Sequence, residues 1–164
     1  WAFAWAGGQA LARHVLDRPS LVRGKAVLDL AAGSGLVAVA ALKAGAMQAL
    51  AADIDPFSSA AVGLNARLNG VEADMTDRDL LAAPPEPFEA ILGGDIFYER
   101  DLAARALSWL RQARACGSLV RIGDPGRSYL PRAALRQVVE YVVPVTRELE
   151  DAEIKRTGVW ELIG

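Results

Sequence analysis

Asp29, Gly33 and Gly35 close the run Ala26-Val-Leu-Asp-Leu-Ala-Ala-Gly-Ser-Gly35, and Asp53 follows about twenty residues after the first glycine. Val27, Leu28 and Leu30 form the short apolar run that a buried parallel strand needs. The glycine turn stops that run, and the helix-forming stretch Leu36 to Ala44 begins at once. A strand, a tight turn and a helix in this order bring backbone N–H groups close to a ligand at the helix N-terminus. A Cβ on either glycine would block that approach or forbid the turn. Gly33, Gly35 and Ala38 make a passable dinucleotide fingerprint, and a strand–turn–helix junction without any ligand is the plain alternative. Asp53 ends a second apolar run, Gln48 to Ala52, where its carboxylate can accept both ribose hydroxyls of an adenosine. Ile54, beside it, could cover one face of the adenine. Asp29 argues against a dinucleotide: a fixed negative charge just before the turn repels a pyrophosphate and attracts a cation.

S-adenosylmethionine fits that requirement, since it has no phosphate and carries both an ammonium and a sulfonium. The run Val27-Leu-Asp-Leu-Ala-Ala-Gly-Ser-Gly35 resembles the first motif of the class I, seven-β-strand S-adenosylmethionine-dependent methyltransferases. Ala31 stands where many members have the first glycine. Asp95-Ile-Phe-Tyr98 is similar to the Asp/Glu-x-x-Tyr motif after strand four of the protein lysine methyltransferases in that class. With Trp1-Ala-Phe-Ala-Trp5-Ala-Gly7-Gly8, Gly123-Asp-Pro-Gly-Arg127 and Arg147-Glu-Leu-Glu-Asp151, it resembles the branch acting on the electron transfer flavoprotein beta subunit. The resemblance covers nearly the whole chain. It implies S-adenosyl-L-methionine as cofactor, S-adenosyl-L-homocysteine as product, and a protein lysine as acceptor. It also implies an acidic residue after strand three that accepts from the adenine amino group; Asp79 suits this better than Asp77 because it precedes the apolar pair Leu80-Leu81, and a solvated loop carboxylate is the other reading. Asn-Pro-Pro-Tyr, which other members carry in place of Asp95 to Tyr98, is absent, which counts against adenine or glutamine methylation.

A methyl on sulfonium sulfur is already activated, so the protein mainly has to align a nucleophile behind it. A lysine amine near pH 7.4 lies about three units below its reference pKa, so only about a thousandth is neutral, and a desolvated pocket lowers that pKa. Asp95 is expected to hold the incoming amine by hydrogen bonding rather than to act as a strong base. Tyr98 would wall the channel and offer an oxygen or a ring face to the developing cation. Asp95 as a cap of the next helix, and Glu99 as a competitor for the amine, stay open.

Alternating strands and helices predict an α/β fold, Rossmann-like and doubly wound, with a mostly parallel seven-stranded sheet and an antiparallel C-terminal hairpin. One methyltransferase domain over residues 1–164 is expected. Strands are read at Gln48 to Ala52, Val71 to Met75, Phe88 to Gly94 and Ser118 to Ile122, with Gly123 to Arg127 as a turn. Helices are read over Gln9 to Leu16, after Asp55-Pro56 as N-cap and first position, over Asp101 to Ala115, and over Pro131 to Glu140. Ala60, Leu64 and Leu68 give the second of these an apolar stripe. Tyr141 to Glu148 and Lys155 to Ile163 form the closing hairpin. The aromatics before Gly7-Gly8 either pack at the helix entrance as a staple or place Trp5 in the cofactor pocket. His14, without an obvious partner, reads as a surface or helix-packing residue, and Cys116 as a small packed residue.

A chain of 164 residues, 52% hydrophobic and 23% charged, is long enough to bury one substantial core. A net charge of −2 supplies no electrostatic footprint for nucleic acid, so none is expected as partner. No run approaches a membrane span, and one cysteine permits neither an internal disulfide nor a zinc cluster. The chain begins with Trp1, so the natural start is expected to lie upstream. The compartment inferred is reducing: the cytoplasm, or the mitochondrial matrix if a targeting segment precedes Trp1. A methyltransferase for another protein or a small molecule, a non-catalytic cofactor-binding domain and a nicotinamide-binding domain are the rivals. The short connections after strands four and five leave little for a lid, which favours a macromolecular acceptor.

Overall fold

The computed structural model describes residues 3–147 and 153–163. Trp1 and most of the Arg147–Asp151 motif lie outside them. Seven strands form one sheet in the order β3-β2-β1-β4-β5-β7-β6. They are β1 (Ala26–Leu30), β2 (Gln48–Ala52), β3 (Asp74–Thr76), β4 (Ala90–Gly94), β5 (Leu119–Asp124), β6 (Leu135–Pro144) and β7 (Ile154–Leu162). The first five are parallel; β7 runs antiparallel to both β5 and β6. Four α-helices are present among the described residues: α1 (Ala6–Asp17), α2 (Leu36–Lys43), α3 (Pro56–Leu68) and α4 (Arg100–Ala115).

Successive side chains of a strand point to opposite faces, and that period divides the core in two. Val27, Ala49, Ala51, Ala90 and Leu92 pack under α1, α2 and α3. Leu28, Leu30, Ile91, Val120 and Ile122 pack under α4, with Phe97, Trp109 and Trp160. The sheet order departs in opposite directions from β1 and β4, so a crevice opens at their carboxyl ends. Ligands of open α/β sheets sit in such a crevice.

Several expectations change. No α-helix forms over 131–140; a single 3₁₀ turn at Arg132–Ala134 leads directly into β6. The helix-favouring Arg-Ala-Ala-Leu-Arg is outweighed by Val138, Val139, Tyr141, Val142 and Val143, which suit a pleated surface; the segment pairs along β7, with Val138 in a bulge between Gln137 and Val139. β3 starts at Asp74 instead of Val71, and β5 continues through Gly123 and Asp124 before turning. In α3 the expected stripe faces outward, with Leu64 and Leu68 exposed; the buried residues are Ser58, Val62 and Ala66. Small residues occupy that face because the helix lies against the glycine turn: a Cβ on Gly35 would stand 2.9 Å from Val62. Cys116 is exposed, at the end of α4, so it is not a packed residue. His14 is buried, and its Nδ1 lies 3.4 Å from the Tyr141 hydroxyl. Of its two readings, helix packing holds.

Candidate active site

The turn after β1 is assembled from both sides by carboxylates. Ala31 takes a left-handed conformation at φ 57°, as do Gly33 at 53° and Gly35 at 76°. A residue with a Cβ is disfavoured there by roughly 1–2 kcal/mol, so Ala31 holds its place against strain that a glycine would not feel. Asp53, at the end of β2, accepts the Gly33 N–H at 2.7 Å through Oδ2 and the Asp55 N–H at 2.9 Å through Oδ1. Asn65 of α3 donates to the Ser34 carbonyl at 2.8 Å. Each Asp53 oxygen thereby keeps one acceptor position, and Asp53 lines the crevice.

Asp29 is almost fully buried at 1% exposure, and its Oδ2 accepts the Ala38 N–H at 2.9 Å. Ala38 is the third residue of α2, whose N-cap is Gly35 and has no side chain to offer. Asp29 therefore does the capping from the neighbouring strand. Burial pushes its carboxyl up to about 7, the Ala38 N–H draws it down, and Asp53 nearby raises it further. Against an unfolded value near 3.9, the folded chain holds the extra proton between about pH 4 and 7, so stability falls as pH rises through that window. Asp29→Asn keeps an acceptor for Ala38 and removes the titration. Denaturant unfolding at pH 5 and pH 8 is expected to show the wild type losing about 2–3 kcal/mol more than the variant. Equal losses would mean that Asp29 ionises normally.

Asp79 caps the short 3₁₀ turn at Leu80–Ala82, accepting the Leu81 N–H at 3.0 Å. Its other oxygen meets Arg105 of α4 at 2.5 Å. Glu99 is committed elsewhere: its oxygens accept the Asp101 and Leu102 N–H groups at 3.0 and 2.9 Å and cap α4. That answers which acid caps the helix after β4; Glu99 does not line the cavity in which Asp95 and Tyr98 stand. Asp95 instead stands at the start of α1. Its Oδ2 accepts the Gly7 and Gly8 N–H groups at 2.5 and 3.2 Å. Its Oδ1 pairs with Arg127 through Nε at 2.8 Å and Nη2 at 2.7 Å. Asp95 is 6% exposed and sits at φ 55°. Burial raises its carboxyl while Arg127 lowers it.

A cavity of about 610 Å³ joins these parts; Trp5, Asp29, Ala31, Gly33, Asp53, Ile54, Asp79, Asp95 and Tyr98 all line it. Gly35 itself does not line the cavity, although Ser34 and Leu36 on either side of it do; it shapes the turn between them. Trp5 is both the N-cap residue of α1 and a wall of the cavity, with Phe3 edge-on to it at 5.3 Å. Ile54 and Tyr98 stand at the rim, 72% and 63% exposed. The volume falls within the range of small-molecule sites. Asp53's spare acceptors, the glycine turn and the apolar Ile54, Leu80 and Leu81 fit an adenosine. Sequence reasoning did not single out Arg105; Gly8, expected beside the cofactor pocket, and Arg127, in a turn expected at the ligand edge, both line the cavity. Arg127 follows a turn at the ligand edge, but nothing local ties it to Asp95, 32 positions away.

Among the described residues no group of His, Cys, Asp and Glu side chains could hold a metal ion, and no helix is long and apolar enough to cross a membrane. Residues 10–92 match the family model described as ribosomal protein L11 methyltransferase (PrmA). The chain is 41% identical over 167 residues to the electron transfer flavoprotein beta subunit lysine methyltransferase of Mus musculus, covering 98% of the chain and 66% of that protein. Its likeness to the Xenopus laevis protein of the same name is 39% over 166 residues, 98% and 68% of the two. The chain thus spans about two thirds of the length of the curated relatives it matches. Among solved structures it resembles the ribosomal protein L11 methylase of Lactobacillus delbrueckii subsp. bulgaricus. The TM-score is 0.61 at 22% identity, over 93% of this chain and 77% of that one.

Proposed function

Because the chain belongs to the family of the electron transfer flavoprotein beta subunit lysine methyltransferases, with a PrmA-type methyltransferase domain, we propose that it methylates a protein lysine with S-adenosylmethionine as donor. The acceptor we assign is the electron transfer flavoprotein beta subunit, in the cytoplasm or the mitochondrial matrix, with no role for nucleic acid. The observation that carries the reading is the joining of two motifs in one crevice: Asp53 and the glycine turn line the same cavity as Asp95 and Tyr98. When bound, the cofactor supplies a methyl group already activated on sulfonium sulfur.

The remaining work belongs to the chain's own side chains. Asp53 accepts the ribose hydroxyls through its two free positions, and Ile54 and Leu80 hold the adenine between apolar surfaces. Asp79 takes the adenine amino group at the far end. Asp29, partly ionised near neutral pH, places negative charge behind the cofactor's cationic end. Asp95 and Tyr98 receive the acceptor amine: the carboxylate orients it, and the phenol ring walls the approach. Desolvation there favours the neutral amine that can attack. The exposed Tyr98 and Ile54 leave the rim open, which supports a macromolecular acceptor over a small enclosed one.

Asp53→Ala removes two hydrogen bonds to a charged acceptor and unpairs the Gly33 N–H. Each such bond contributes about 1.5–3 kcal/mol, so the dissociation constant for S-adenosylhomocysteine is expected to rise about 100-fold or more. Calorimetric titration measures this, and an unchanged constant removes Asp53 from the site. Incubation with methyl-labelled cofactor and the purified beta subunit tests the function itself. Label is expected on a lysine of that subunit. No label there, with label on another protein or on a small molecule, overturns the acceptor assignment.

A further inference from the structure

Asp95 has no acceptor position to spare. A carboxylate offers about four lone-pair sites, and Gly7 N–H, Gly8 N–H, Arg127 Nε and Arg127 Nη2 take them. The reading of Asp95 as the group that orients the acceptor amine, on which this inference rests, therefore needs one of those donors to leave. The two amides cannot. They belong to the first turn of α1, which lies backbone to backbone on β5: a Cβ on Gly7 would stand 2.2 Å from the Gly123 carbonyl oxygen. Arg127 is different. It is a side chain from the turn after β5, lines the cavity, and keeps about a fifth of its side-chain surface exposed, 21%. Its guanidinium also lies 5.5 Å above the Trp5 ring, so it has a second surface to rest on.

We propose that Arg127 is the resting occupant of the acceptor subsite: its guanidinium holds Asp95 until the substrate ammonium displaces it from Oδ1. On binding, the exchange trades one cation for another, so the buried carboxylate is not left alone as the guanidinium leaves; the ammonium gives its proton to solvent afterwards, before it attacks. That matters because an uncompensated buried charge is strongly destabilising, and burial already pushes the Asp95 carboxyl upward while Arg127 holds it down. The displaced guanidinium keeps its place over the Trp5 face. Arg127 is in this sense a positioning residue, acting on the acceptor through Asp95. The arrangement also selects for charge, since a neutral group entering the subsite cannot replace the guanidinium.

The exchange can be read without any methyl transfer. The ¹⁵N resonance of the Arg127 Nε–H, identified by its loss in Arg127→Lys, is followed in wild-type protein with S-adenosylhomocysteine. Adding n-butylammonium chloride is expected to move it toward the free-arginine position. n-Butanol, or sodium chloride at equal ionic strength, is expected to leave it in place. A resonance unmoved by the ammonium, or moved equally by the salt, overturns the proposal. A kinetic arm uses the electron transfer flavoprotein beta subunit. Lysine pairs as a point charge without the bidentate fork, so Arg127→Lys weakens the hold on Asp95. If the guanidinium competes with the acceptor, kcat/KM for the acceptor rises about threefold as the competent fraction grows. Loss of a purely structural contact lowers it, and a fall overturns the proposal. If wild type does not methylate that subunit, the acceptor assignment fails, and the resonance alone decides the exchange.

Discussion

Asp95→Ala is expected to abolish methyl transfer and to weaken cofactor binding as well. Sequence reasoning alone leads one to expect cofactor affinity nearly intact, with Asp95 serving only the acceptor. The fold gives the residue two further duties. Removing the carboxylate strips the Gly7 and Gly8 N–H groups of their acceptor and leaves Arg127 without its carboxylate. Breaking a buried pair costs about 3–5 kcal/mol. Alanine adds strain at φ 55°, a conformation that asparagine and aspartate tolerate better than other residues with a Cβ. Trp5 is the N-cap residue of α1 and lines the cavity, so a loosened α1 start reaches the cofactor directly. Asp95→Asn separates these duties: its amide oxygen can still accept the two N–H groups and its backbone is tolerated. Methyl transfer is expected to fall at least about 100-fold in the asparagine variant, as for loss of a well-placed charged group in a catalytic site. Its affinity for S-adenosylhomocysteine should stay within a few fold. Full activity in Asp95→Asn would confine the residue to holding α1.

Gly123→Ala should be the most damaging single methyl group in the protein. The new Cβ would stand 2.0 Å from the Gly7 carbonyl oxygen, 2.8 Å from its carbon and 2.9 Å from Leu11 Cβ. Two of those three are backbone atoms and cannot turn aside, so α1 must lift from the sheet. Overpacking commonly costs about 1–3 kcal/mol and sometimes more; a backbone clash belongs at the upper end, at about 3 kcal/mol or more. Because α1 carries the N–H groups that hold Asp95, cofactor binding and transfer should fall together with stability. Gly8→Ala is the control. Its Cβ meets nothing within 4 Å, and alanine in a helix is favoured over glycine by about 0.5–1 kcal/mol. Thermal unfolding of both variants checks the contrast; a Gly123→Ala protein that melts with wild type would mean that α1 does not pack as described.

The parts of this protein that could be read from the chain are those set by contiguous residues. The first strand, its glycine turn and α2 follow from residue types a few positions apart, as do the Asp55-Pro56 start of α3 and the Asp53 position at the end of β2. Where the signal was local but ambiguous, pairing decided: residues 135–144 became a strand because β7 offers them a partner along their length, whatever the preceding helix formers prefer. The outward turn of Leu64 and Leu68 has a related cause, since α3 is seated by the Gly35 and Ser34 contacts of Val62 and Asn65 and not by its apolar stripe.

The candidate site divides in the same way. Asp29, Gly33, Asp53, Asp95 and Tyr98 were identifiable as types at positions, since a strand end followed by a turn is written in neighbouring residues. Their partners were not. Asp95 reaches back 88 positions to Gly7 and forward 32 to Arg127, distances over which no period or turn rule carries information. By itself the chain determined which side chains arrive at the carboxyl edge of the sheet. Only the tertiary structure decided that Asp95 caps α1 while Glu99 caps α4, and that Asp29 is buried far enough to titrate near 7. Hydrogen-bond saturation and desolvation depend on everything packed around a group, and that packing exists only once the distant segments have met.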